Sequence, residues 1–96
     1  MTTRELKQVS REFRGGLIGK REGDMMCAVV CYALNGYLSF LGQSSTIEEV
    51  MLKYSNHVFL RLPDGRILDP TADQFGDYPA IYVGKPLWFH EEASHD

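Results

Sequence analysis

The spacing of apolar positions changes along the chain, and each change predicts an element. Leu6, Val9 and Phe13 recur at helical spacing within residues 3–14, so this stretch is expected to form an amphipathic helix. Gly15, Gly16 and Gly19 should break it and leave a turn-rich segment through Gly23. From Met25 onward Cys27, Cys31, Leu34, Leu38 and Leu41 follow alternate steps of four and three, the face of a helix aimed at a core. Asp24 suits its N-cap, and Gly42 suits the position just past its end. Asn35-Gly36 is a turn signal inside that run, so a break there with residues 37–41 as a strand is the alternative. Ser45 to Tyr54 reads as a short further helix, with Ser45 or Thr46 as N-cap and Glu48 and Glu49 in the first turn.

The period then falls to two. Val58, Leu60 and Leu62 alternate with His57, Phe59 and Arg61, which predicts a half-buried strand. Pro63-Asp64-Gly65 has the chemistry of a three-residue hairpin loop with glycine in the left-handed bulge position. That loop pairs Leu62 with Arg66, Leu60 with Leu68 and Phe59 with Asp69. His57, Phe59 and Asp69 then share one face, with His57 and Asp69 diagonal at roughly 7–8 Å between backbones. A two-residue Asp64-Gly65 loop would send Asp69 to the opposite face. Pro70 ends the return strand, and residues 71–75 read as a turn or a single helical turn. Residues 81–83 and 87–89 are short strand candidates on either side of Gly84-Lys85-Pro86. Helices followed by strands predict an α+β fold, with N-terminal helices packed on a small antiparallel sheet.

The chain has 96 residues, enough for a single domain spanning 1–96. Within it, 1–22 form a basic helix and glycine-rich segment, 23–76 a candidate catalytic core, and 77–96 the last strands and an acidic tail. The net charge of −3 gives no reason to expect nucleic acid or an anionic membrane as partner. Residues 1–22 nevertheless carry Arg4, Lys7, Arg11, Arg14, Lys20 and Arg21 against Glu5, Glu12 and Glu22. This surplus reads first as internal charge complementarity or a solvated face, and second as a basic segment for a partner. No run approaches the ~20 apolar residues of a membrane span, and the N-terminus lacks the apolar core of a signal peptide. Cys27 and Cys31, four apart on a helix, are poorly placed for a disulfide. Reduced thiols and a cytoplasmic setting are expected, or delivery into a target cell as an effector.

A histidine beside a carboxylate is useful when a third group must lose a proton. The carboxylate fixes the imidazole tautomer, and the other ring nitrogen serves as base. Cys27, near the start of the central helix, is the candidate nucleophile, because helix N–H groups and a nearby imidazolium favour its thiolate. Asp24 opposes this by like charge. Cys31 lies a turn deeper and continues the apolar stripe, so it is assigned to the core. Gln74, Gln43 and Asn56 are candidate oxyanion or substrate-binding side chains, with Gln74 preferred for its place in the loop after the Asp strand; backbone N–H groups near Cys27 are an alternative.

The bland readings are a hydrogen-bonded structural histidine at 57, turn chemistry at Asp69 and a core cysteine at 27. Their joint occurrence in the right order favours catalysis. Cys27, Cys31 and His57 could supply three zinc ligands, but paired ligand spacing is absent. No metal or cofactor is therefore expected. His90 and His95, beside the acidic tail, are expected in solvent. Tyr78, Tyr82, Trp88 and Phe89 are expected to form core or a hydrophobic groove.

Over residues 23–76 these motifs resemble the transglutaminase-like branch of the papain-like cysteine-nucleophile superfamily. Cys27-x3-Cys31-x2-Leu34 is similar to its nucleophile helix. NHVFLRLPDGRILDPTADQF is similar to its His and Asp strands, in which Pro-Thr follows the Asp. The resemblance implies a miniature papain-like core with Cys27 as nucleophile, His57 as base and Asp69 as orienting carboxylate. It also implies acyl chemistry on a protein or peptide amide: proteolysis, glutamine deamidation or transamidation. The rival class is a catalytically degenerate papain-like binding module, an inhibitor or adaptor.

Overall fold

A computed structural model describes residues 1–18, 27–53 and 55–92. Asp24 and His95, read above as N-cap and exposed tail residue, lie outside them. The first helix, α1 (Thr3–Ile18), opens on a reciprocal cap: the Glu5 N–H donates to the Thr2 hydroxyl and the Thr2 N–H to the Glu5 carboxylate. The expected break at Gly15-Gly16 does not occur, and the helix runs on through both glycines. Each glycine costs helix stability, but neither forbids a helix that Leu6 and Phe13 already hold against the core.

The second helix, α2 (Cys27–Phe40), is unbroken at Asn35-Gly36. Asn35 spends its amide elsewhere, donating to the carbonyl and hydroxyl oxygens of Ser45 and tying the helix to the chain that follows it. Gly42 ends the helix in the left-handed region at φ 87°. Its N–H donates to the Ser39 carbonyl and that of Gln43 to the Leu38 carbonyl, a Schellman pair.

The helix expected over Ser45–Tyr54 is instead a strand, β1 (Thr46–Met51). Thr46, Ile47 and Val50 are β-branched, and the neighbouring strand offers a full ladder from Thr46–Arg61 to Met51–Asn56. Glu48, read as a first-turn helix acid, pairs across this ladder with the Arg61 guanidinium. Tertiary pairing overrides the local helix signal.

The hairpin forms as its loop chemistry predicts. Strands β2 (Asn56–Arg61) and β3 (Ile67–Asp69) pair Leu60 with Leu68 and Arg61 with Ile67. The Gly65 N–H donates to the Leu62 carbonyl with Gly65 at φ 94°, and the Leu62 N–H donates to the Arg66 carbonyl. The last strand, β4 (Tyr82–Gly84), completes an antiparallel sheet of order β1-β2-β3-β4. Residues 87–89, expected as a strand, instead enter a 3-10 turn, Trp88–His90. A second such turn spans Ala72–Phe75. The architecture is α+β, two helices on one face of a four-stranded antiparallel sheet.

The sheet is covered on both faces. Leu6, Cys31, Leu34 and Leu38 pack on Val58, Leu60, Leu68 and Val83. The other face presents Val50, Phe59 and Ile67 with Leu52 and Tyr82. The four consecutive residues His57–Leu60 are all buried, because β2 lies between these layers. Among the described residues, no helix is long and apolar enough to cross a membrane.

Candidate active site

His57 opens the buried part of β2, and Asp69 closes β3 where Pro70 turns the chain away. With Leu60 opposite Leu68, the two side chains share the face of Phe59, and His57 Nε2 meets Asp69 Oδ2 at 2.7 Å. Both are fully buried. The diagonal juxtaposition expected from the loop is therefore a direct hydrogen bond.

The remaining ring nitrogen is left for other groups. Gln74 Nε2 lies 3.4 Å from His57 Nδ1 and donates to the Thr71 hydroxyl at 3.0 Å. The half-buried thiol of Cys27, at the start of α2, lies near enough to this imidazole for each group to shift the other's titration. Burial pushes the Cys27 pKa up. Hydrogen bonds from His57 and the Val58 and Ala28 amides, with the His57 charge, outweigh it and bring the thiol below its ordinary value. For His57 burial opposes the charged form, but Asp69 and Cys27, through hydrogen bonds and charge, push its pKa up to about 9. Asp69 is likewise disfavoured as an anion by burial, yet hydrogen bonds from His57, His90 and Thr71 hold its pKa below the usual carboxylate value. The three shifts share one direction, each toward the charged form of its group.

Cys31 has the role its stripe predicted. It is fully buried, its thiol donates to the Val58 carbonyl at 3.3 Å, and burial pushes its pKa up. It cannot join Cys27 and His57 in a zinc site without leaving the core. Asn56 is exposed at the opening of β2, where strand alternation points it away from the face of His57. Gln43 lies beyond α2, with its side-chain oxygen on the N-terminal ammonium. Of the three side chains considered for an oxyanion site, Gln74 stands at the imidazole.

His90 departs from expectation. It is 3% exposed rather than solvated, and its Nε2 lies 2.7 Å from the same Asp69 Oδ2 that binds His57. The other carboxylate oxygen accepts from the Thr71 N–H at 3.0 Å. Phe75, 4.6 Å from the His57 ring, and Phe89, 5.8 Å from it, wall the imidazole. The acidic residues Glu91 and Glu92 made His90 read as tail. Phe89, expected in the core or a groove, is fully buried, and it packs 4.4 Å from the His90 ring, a contact between chain neighbours that no alternation pattern reports.

His57, Asp69 and His90 also bring three ligand-type atoms within 4.8 Å of one another. The Leu87 N–H donates to His90 Nδ1 at 2.9 Å, however, so that nitrogen is an acceptor and the ring proton sits on Nε2, facing Asp69. A metal on Nε2 would need that proton removed and the Leu87 bond given up. The donors fit a hydrogen-bond chain better than a metal cradle.

The 3-10 turn after Asp69 is itself anchored. Arg14, reaching from α1, donates to the Pro70 and Ala80 carbonyls and grips both Asp73 carboxylate oxygens. At this residue the N-terminal positive surplus is internal charge complementarity. No protein-family model, no curated protein and no solved structure matches the chain.

Proposed function

We propose that the protein carries out cysteine-dependent acyl chemistry on a protein or peptide amide, from a miniature papain-like core of the transglutaminase-like kind. The observation that carries this reading is the buried His57–Asp69 hydrogen bond, supported by the half-buried Cys27 thiol whose titration is coupled to the same imidazole. The Cys27 thiolate attacks the amide carbonyl carbon, and the C–N bond breaks as imidazolium His57 gives its proton to the departing nitrogen. The resulting thioester is opened by water or an amine, whose proton His57 takes back. Asp69 holds the ring by Nε2, leaving Nδ1 for these transfers. The Gln74 amide, beside Nδ1, and the Ala28 N–H at the start of α2 are the donors available to a developing oxyanion.

The burial of His57 and Asp69 leaves Cys27 as the accessible member of the set. This favours a side-chain amide or an extended peptide on another protein over a small molecule enclosed in a deep pocket. The test is incubation of glutamine-containing peptides and proteins with the wild type and with Cys27→Ala, followed by mass spectrometry. A gain of about one mass unit at glutamine marks deamidation, fragments mark proteolysis and an added amine marks transamidation. Modification that persists in Cys27→Ala would overturn the proposal. So would Cys27 alkylating no faster at neutral pH than a free thiol, leaving a catalytically degenerate binding module.

A further inference from the structure

We infer that His90 is a positioning residue, which acts through Asp69 by keeping that buried carboxylate ionised and aimed at His57. This rests on the acyl-transfer reading for its purpose, but not for its physical content. Asp69 Oδ2 receives the Nε2 groups of His57 and His90, each at 2.7 Å. Oδ1 receives the Thr71 N–H at 3.0 Å and lies 3.4 Å from the Thr71 hydroxyl. Every side of a fully buried carboxylate is thus met by a donor. An unmet side would favour the protonated acid, and a protonated Asp69 cannot stabilise an imidazolium.

His90 suits this task because its tautomer is fixed from behind. The Leu87 N–H donates to Nδ1, and the His90 N–H donates in turn to the Leu87 carbonyl at 2.9 Å. The 3-10 turn Trp88–His90 therefore presents a neutral N–H donor to Asp69. A neutral donor orients the carboxylate without cancelling the charge that His57 needs, which a lysine or arginine in its place would do. The titratable groups around Asp69 are His57 from β2, His90 from the turn, Cys27 and Cys31 from α2 and, stacked on His90, Tyr82 from β4.

A packing role competes with this one, since His90 also sits 4.4 Å from Phe89 and 4.7 Å from Phe59. Two substitutions separate them. His90→Phe keeps an aromatic ring and removes the donor; His90→Gln loses the ring and can place an amide N–H near the position of Nε2. The readout is the Asp69 carboxyl titration by carbon-13 NMR, paired with the pH dependence of Cys27 alkylation by iodoacetamide. The Asp69 midpoint should rise by about one pH unit or more in His90→Phe, stay near wild type in His90→Gln, and move the acid limb of alkylation in the same direction. An unmoved Asp69 midpoint in His90→Phe, or an equal rise in both variants, overturns the inference. If His90→Phe does not fold, nitrogen-15 shifts of wild-type His90 at pH 7.5 decide: a proton on Nε2 alone supports it, and a proton on Nδ1 overturns it. An ordinary Cys27 thiol in the wild type would sink the enzymatic proposal, while the Asp69 titration would still judge His90.

Discussion

Arg14 grips both carboxylate oxygens of Asp73, at 3.1 and 2.7 Å, and so fastens α1 to the turn that follows the Asp strand. The guanidinium is 6% exposed as a residue and also holds the Pro70 and Ala80 carbonyls, so one side chain satisfies acceptors on both sides of the site. Arg14→Ala leaves these acceptors and a carboxylate unmet, and should cost about 3–5 kcal/mol in urea unfolding. Arg14→Lys keeps the charge but not the fork, and should recover only part of the loss. A cost for Arg14→Ala below about 1 kcal/mol would place this pair with ordinary surface bridges.

Asp69→Asn tests the other carboxylate. His57 and His90 converge on one oxygen, and the Thr71 N–H points at the other. An amide has one acceptor oxygen and one NH2, so either orientation sets an N–H donor against another donor. Urea unfolding should show a loss of about 3 kcal/mol or more. Cys27 alkylation at neutral pH should slow toward that of a free thiol. A variant as stable and as reactive as the wild type would show that the carboxylate charge matters to neither property.

The contrast between residues 62–66 and residues 45–54 explains what could be read from the chain. Loop chemistry at Pro63-Asp64-Gly65 is local, so its register, and with it the meeting of His57 and Asp69, was legible. The fate of Ser45–Tyr54 was decided by a partner strand: β1 exists because β2 offers it a ladder, which helix caps and first-turn acids do not report. The same holds for His90, whose burial depends on Phe89 and on Asp69, 21 residues earlier in the chain. Cys31 is fully buried and Cys27 half-buried, a difference that position along one helix carries. Gly15 and Gly16 misled because glycine weakens a helix without ending it.

That last point is measurable. A Cβ built on Gly15 or Gly36 meets nothing within 4 Å, and both positions are exposed within continuous helices. Gly15→Ala and Gly36→Ala should each raise stability by about 0.5–1 kcal/mol, read as a higher urea midpoint. Destabilisation by either would mean that the backbone there departs from helical dihedrals.

The pH dependence follows from the signs of three shifts. His57 is raised to about 9 in the folded protein, so its stabilising contribution is complete below an ordinary histidine value of ~6.5 and is lost as pH rises through about 9. Asp69 is lowered, so its contribution is present above its unfolded value and disappears only as pH falls through the depressed one. Cys27 is lowered too, and it adds stability at the alkaline end, where its unfolded counterpart would also ionise. His57 and Cys27 thus pull in opposite directions on the alkaline side, and Cys27→Ala separates them. In that variant stability should decline on the alkaline side of neutrality, with a midpoint below 9 because the thiolate no longer supports the imidazolium. His57→Phe in the same background should abolish the decline. Turnover by the wild type should fall above about 9, where His57 can no longer protonate a leaving amine, whereas iodoacetamide labelling of Cys27 should not fall, because alkylation needs only the thiolate. If Cys31, fully buried in the folded protein, becomes labelled over the same pH range in which turnover falls, the alkaline limb belongs to loss of structure rather than to the imidazolium.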